Sequence, residues 1–157
     1  MLADIETLVK NLQTRIRIYV MQNKREPTIE SLAKLLSNTL YGRRFMPYYS
    51  FNLLCGIDSK TGEGVVFGYD AVGSFDKITY GCQGSGNSLA APILDNQFTG
   101  HNHMIKTLPT SIKEVEDTTK DIINSIAERD IYTGDATETV TVSSAGINRS
   151  IMQIRRD

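Results

Sequence analysis

Tryptophan is absent from the 157 residues, and cysteine, histidine and proline are scarce at two, two and four. So few cysteines exclude the disulfide framework on which small loop-rich secreted domains depend. Cys55 and Cys82 fall at the ends of predicted strands, and the expectation is a pair of buried thiols, which pack as small hydrophobes, with a disulfide as the alternative. Histidine chemistry is confined to one stretch, His101-Asn102-His103. Long apolar runs are missing too: none approaches the roughly 18 residues of a membrane span. The opening Met-Leu-Ala-Asp-Ile-Glu has neither the basic segment nor the apolar core of a signal peptide, so none is expected there. Nor does one sign of charge dominate. Seventeen Lys and Arg oppose eighteen Asp and Glu, for a net charge of −1, unlike the basic footprint of a nucleic-acid binder. What is present suits one domain over residues 1–157, 40% apolar and 22% charged. A chain of this size buries roughly 70% of its unfolded surface.

The middle of the chain organises the rest. Phe51–Ile57, Val65–Tyr69 and Phe75–Tyr80 are short apolar runs rich in Phe, Val, Ile and Tyr, divided by turn-forming residues. They predict a three-stranded antiparallel meander. Two helices precede it. Leu2 to Gln22 carries Ile5, Leu8, Val9, Leu12, Ile16, Tyr19 and Val20 at the spacing of one buried face. Thr28 is placed to cap the second helix, whose apolar face runs from Ile29 to Leu40, with Gly42 as its stop. After the meander a helix is predicted from about Asn87 to Gln97, with Pro92 near its first turn or kinking it. Ser111 and Glu114 form a capping box for the last long helix, whose inner face is Ile112, Val115, Thr119, Ile122, Ile123 and Ile126. A strand over Glu138–Ser144, half-buried through Val140 and Val142, turns at Gly146 and pairs with Ile147–Arg155. Helices and antiparallel strands segregated in this way argue for an α+β layered sandwich.

Several stretches invite chemistry, and each has a plainer structural reading. Gly81-Cys82-Gln83-Gly84-Ser85-Gly86 runs into a helix, as phosphate-binding loops do. It lacks the Lys and spacing of a P-loop, and a tight turn feeding a capped helix accounts for it. His101 and His103 are candidate metal ligands, but no Cys or nearby carboxylate completes a set, and an exposed polar loop is the simpler reading. Arg43 and Arg44 beside Phe45, Tyr48 and Tyr49 suggest either an anion site or a helix-end charge pair in an aromatic corner. No cofactor or metal is expected.

Five stretches, in order along the whole chain, resemble proteasome beta subunits, and among them those of type 1. They are Tyr41-Gly42-Arg43-Arg44-Phe45-Met46-Pro47-Tyr48-Tyr49, Gly68-Tyr69-Asp70-Ala71-Val72-Gly73-Ser74-Phe75, Pro92-Ile93-Leu94-Asp95-Asn96-Gln97, the segment Ala127-Glu128-Arg129-Asp130-Ile131-Tyr132-Thr133-Gly134-Asp135-Ala136, and the ending Arg155-Arg156-Asp157. The resemblance implies a four-layer αββα sandwich of the N-terminal nucleophile hydrolase type, incomplete at its N-terminus, because Met1 falls where the family enters its first long helix. It implies a non-catalytic, structural subunit of the proteasome core particle, partnered by other alpha and beta subunits in stacked seven-membered rings. Residence in cytoplasm and nucleus follows from the same resemblance, with no nucleic-acid or membrane partner. Ser85, Asp130, Thr133 and Gly134 match positions around the family's active site. Their structural roles would be a helix cap for Ser85 and a turn tied to backbone donors for Asp130 and Thr133.

Two other functions compete. An active threonine protease needs a nucleophile whose own free amine serves as base. The first threonine is Thr7, inside the first predicted helix, so that reading requires the nucleophile to lie outside these residues. A free-standing binding module is the third possibility. If strands of the family fold are missing, both sheets lose partners, and exposed edges invite aggregation. Residues 1–157 expressed alone are therefore expected to be aggregation-prone or molten. Near-ultraviolet circular dichroism and a denaturant titration check this, and a soluble monomer with a sharp cooperative transition refutes it.

Overall fold

The computed structural model describes residues 1–99 and 109–156. His101 and His103, with their metal-ligand reading, and Asp157 of the basic ending lie outside the described residues. The chain divides into two compact units, Met1–Thr79 and Tyr80–Asp157. Both mix helix and strand, so the α+β class holds.

In the first unit α1 spans Leu2–Asn23 and α2 spans Ile29–Tyr41. Strands β1 (Leu53–Ile57), β2 (Gly64–Tyr69) and β3 (Phe75–Ile78) follow as an antiparallel sheet in the order β1-β2-β3. The meander is as expected, with β1 starting two residues later than its apolar run. Ser50 and Asn52 hydrogen-bond each other, and the Asn52 carbonyl accepts from the Tyr69 N–H at 3.1 Å just ahead of the strand. Register pairs Leu54 with Phe67 and Tyr69 with Phe75. One sheet face therefore gathers Leu54, Val65, Phe67, Tyr69 and Phe75, and α2 covers it with Ile29, Ala33, Leu36 and Leu40. Gly56 shares that face by alternation, and a Cβ there would meet Ile29 Cδ1 at 2.6 Å, so glycine lets α2 approach. Cys55, one residue away, points to the other face and is exposed, and Cys82 is half-buried. The expected pair of buried thiols is thus not found. Strand alternation puts Cys55 opposite the covered face.

Thr28 caps α2 by accepting from the Ser31 N–H at 3.3 Å. Gly42 ends α2 in right-handed helical geometry, so its conformational freedom is not what stops the helix. Only Leu8 of the α1 stripe is buried, while Ile5 and Val9 are exposed. Periodicity located the apolar face of α1 without locating anything to cover it.

The second unit holds α3 (Asn87–Leu94), which runs into a π turn over Asp95–Thr99, then α4 (Ile112–Ala127) and the hairpin β4 (Ala136–Ser143) and β5 (Gly146–Gln153). Pro92 lies inside α3 and supplies no N–H, and the regular helix ends two residues later. Ala90 and Leu94 of α3 pack on Ile122 and Ile126 of α4. Only this C-terminal half of α4 is buried, and Ile112 and Val115 stay exposed. Ser111 caps α4 as expected, but Glu114 reaches back to the Thr110 N–H at 2.8 Å, one residue ahead of the usual reciprocal bond.

The face of β4 differs from expectation. Val140 and Val142 point outward and are exposed, while Thr137 is buried and Thr139 and Thr141 are half-buried. The Thr141 hydroxyl donates to the Glu116 carboxylate of α4. The helix offers an acceptor there, so the hydroxyl face turns toward it.

Leu40 is fully buried, and Tyr69 donates its hydroxyl to the Ala33 carbonyl at 2.8 Å. Leu40→Ala should cost about 2–5 kcal/mol. Tyr69→Phe keeps the ring and should cost only about 0.5–1.5 kcal/mol. Urea titrations of both variants check the order, and equal losses would remove Leu40 from the centre of the core.

Candidate functional site

Three of the four residues singled out in the sequence meet around one carboxylate. Ser85 lies in the Gly-rich loop before α3, and Asp130 and Thr133 lie in the turn after α4. The loop can approach α4 because residue 86 is glycine: a Cβ there would sit 2.6 Å from Ile126 Cγ2 and 3.4 Å from Asp130 Oδ2. That approach brings the Ser85 hydroxyl to donate to Asp130 Oδ2 at 2.6 Å. The Thr133 hydroxyl donates to the same oxygen at 2.8 Å, and the Tyr132 N–H donates to Oδ1 at 3.2 Å. Asp130 and Thr133 are half-buried and Ser85 is exposed.

Gly134 completes the turn from the other side. A Cβ on it would come within 3.2 Å of the Arg155 carbonyl. Asp135 follows in the left-handed region at φ 64°, and its N–H donates to that same carbonyl at 2.9 Å. The Arg155 guanidinium pairs with Glu128 at 2.8 Å. The turn, residues 127–135, and Arg155 line a polar cleft of about 330 Å³.

The hydrogen bonds from Ser85, then Thr133, then the Tyr132 amide hold the Asp130 carboxyl below its ordinary value. A carboxylate stabilised in this way is a weak base, so it does little to activate the Ser85 or Thr133 hydroxyl. The cluster orders a turn. Ser85 does not cap α3 as expected: the N-cap residue is Gly86, without a side-chain bond, and the hydroxyl is committed to Asp130. Thr133 likewise bonds the carboxylate rather than the backbone with its hydroxyl. Among the described residues no three His, Cys, Asp or Glu side chains gather as a metal set.

A second network has no counterpart in the sequence reading. The Tyr80 hydroxyl donates to Asp95 Oδ1 at 2.6 Å and lies 2.6 Å from Thr99 Oγ1, so it bridges the first and last residues of the π turn. The bond to Asp95 pushes the Tyr80 phenol up, while the contact with Thr99 acts the other way. Partial burial and the Asp95 charge also raise the Cys82 thiol. The four-residue spacing of Asp95 and Thr99 was visible, but the turn that aligns them was not.

Comparison with known proteins places this α+β chain. Residues 1–142 match the family described as "Proteasome subunit". The chain belongs to the proteasome subunit family, among the beta subunits of the core particle. It is 44% identical to proteasome subunit beta type-1 of Oryza sativa subsp. japonica over 159 residues, covering 98% of this chain and 72% of that protein. Against proteasome subunit beta type-1 of Arabidopsis thaliana it is 43% identical, covering 99% of this chain and 71% of that one. Identity to the Danio rerio protein of the same name is 39%, over 98% of this chain and 65% of that one.

The sign of the Asp130 shift makes a pH prediction. A carboxyl whose folded-state value is lowered stabilises the fold at pH above its ordinary value of 3.8, and that contribution is lost as pH falls through the folded-state value. Asp130→Ala should lower the melting midpoint near neutral pH. The gap to wild type should close as the medium is acidified below the ordinary carboxylate range. A gap that persists unchanged in acid would show that the Asp130 charge contributes nothing.

Proposed function

We propose that this chain is a structural, non-catalytic beta subunit: it fills one place in a ring of the core particle, packs on neighbouring subunits and cleaves no peptide bond. Partners are other alpha and beta subunits in stacked seven-membered rings, in the cytoplasm and nucleus. The reading carries with it a single domain over residues 1–157 and the four-layer αββα arrangement of the N-terminal nucleophile hydrolase type. Ser85, Asp130, Thr133 and Gly134 then occupy the surroundings of the family's active site in a structural capacity.

Within these 157 residues, the state of the hydroxyl groups supports the non-catalytic reading. Ser85 and Thr133 both donate to one carboxylate whose basicity is reduced. Thr7 sits inside α1, its hydroxyl bonded to the Ala3 carbonyl at 2.7 Å, so its nitrogen is a helical amide and no free amine base. The relatives named proteasome subunit beta type-1 support the beta-subunit part of this reading.

Boronate and epoxyketone probes of threonine proteases, followed by peptide mass spectrometry, should leave every threonine and serine of these 157 residues unlabelled. A covalent adduct at any of them overturns the non-catalytic assignment.

A further inference from the structure

The wide winding over Asp95–Thr99 has a cause both ahead of it and beside it. A π turn closes its hydrogen bonds one residue later than an α turn and is rare, so some local feature must hold it open. Ahead of it, α3 is already weakened. Pro92 offers no N–H to the Ser88 carbonyl, and the Asp95 N–H is shared between the Ala91 and Pro92 carbonyls. The backbone ladder therefore reaches Asp95 without a fixed register.

Tyr80, fifteen residues earlier, fixes one. Its hydroxyl donates to Asp95 Oδ1 at 2.6 Å. With the proton committed there, the same oxygen accepts from the Thr99 hydroxyl, also at 2.6 Å. The Tyr80 ring lies 5.8 Å from that of Phe98, tilted by 34°, and both pack against Ala90, Leu94, Ile122 and Ile126. One side chain thus holds the first residue, the last residue and Phe98 of the π turn. Both polar bonds run through a single phenol oxygen, so they are lost together.

We propose that residues 95–99 are a two-register turn latched by Tyr80, wide while the phenol bridges Asp95 and Thr99, and wound as ordinary α-helix once the bridge opens. Rewinding withdraws one residue from the turn. What lies beyond rotates by about 100° and moves by about 1.5 Å along the axis. Phe98 then leaves the Tyr80 ring. The backbone keeps its hydrogen bonds in either register, which separates rewinding from melting. Such a turn re-aims Phe98 and Thr99 without unfolding α3.

The protein carries its own reporter. Cys82 packs against the same cluster as Tyr80 and Phe98, and burial and the Asp95 charge raise its thiol. Movement of Phe98 and Asp95 uncovers the thiol and relieves that shift, so alkylation quickens. Cys55, exposed in the first unit, is the internal control.

Iodoacetamide labelling of the purified full chain, read by peptide mass spectrometry beside amide hydrogen exchange, tests the latch. In Tyr80→Phe, and equally in Thr99→Val, Cys82 should be alkylated about tenfold faster, with Cys55 unchanged. The amides of residues 95–99 and of α4 should stay protected within a few-fold of wild type. Thr99→Ser keeps the hydroxyl and should behave as wild type. Unchanged Cys82 rates in both variants overturn the latch. Faster labelling with residues 95–99 exchanging freely shows a turn that melts instead of rewinding, and overturns it too. Loss of protection in α4 in both variants makes the bridge a plain structural support, and a wild-type turn with no protected amides leaves nothing to latch. Either result sinks the proposal.

Discussion

Burying the Tyr69 ring beneath α2 obliges its hydroxyl to find an acceptor, and the Ala33 carbonyl supplies it at 2.8 Å. An unpaired buried hydroxyl costs more than the bond contributes, so this single contact constrains how α2 crosses the sheet. Burial pushes the Tyr69 phenol up to about 12, so it stays a donor across the ordinary pH range. Phe75 stacks on Tyr69 at 5.2 Å and meets Phe67 edge to face at 5.8 Å. The covered face of the meander is thus an aromatic ladder beneath one helix. Gly73 belongs to the same constraint: at φ 91° it lets the turn between β2 and β3 reach α2, where a Cβ would strike the Ser37 carbonyl at 2.5 Å.

The second unit depends on a similar approach of backbone to helix. Gly86 lets the loop before α3 lie on Ile126, and this contact makes the distance from Ser85 to Asp130 a hydrogen bond. Two hydroxyls and an amide then converge on one carboxylate. Such a cluster stabilises the charged acid and organises a turn, and the same bonds that anchor it weaken it as a base.

Exposure follows a different logic from periodicity. Ile5 and Val9 of α1, Ile112 and Val115 of α4, and Ile147 and Ile151 of β5 lie open. Scattered exposed apolar residues are ordinary on any protein surface. The corner after α2 stands apart because its exposed residues Tyr41, Phe45, Met46, Tyr49 and Phe51 cluster within a short stretch.

Local pattern was enough for the order of elements. Alternation and turn residues defined the meander, three-and-four spacing defined α1, α2 and α4, and Thr28 and Ser111 marked two helix starts, because these features depend on neighbours in the chain. The run Ala127 to Ala136 and its fellow motifs were enough for the family, since they stand in order along the chain. Tertiary structure decided what pattern cannot encode. It chose the covered face of β4, where Thr141 meets a Glu116 acceptor on α4 and the valines face outward. It turned Cys55 outward, left half of α4 uncovered, and committed the Ser85 hydroxyl to Asp130 rather than to a helix cap. Each of these outcomes depends on which partners folding brings close or leaves away, and spacing along the chain carries no information about such partners.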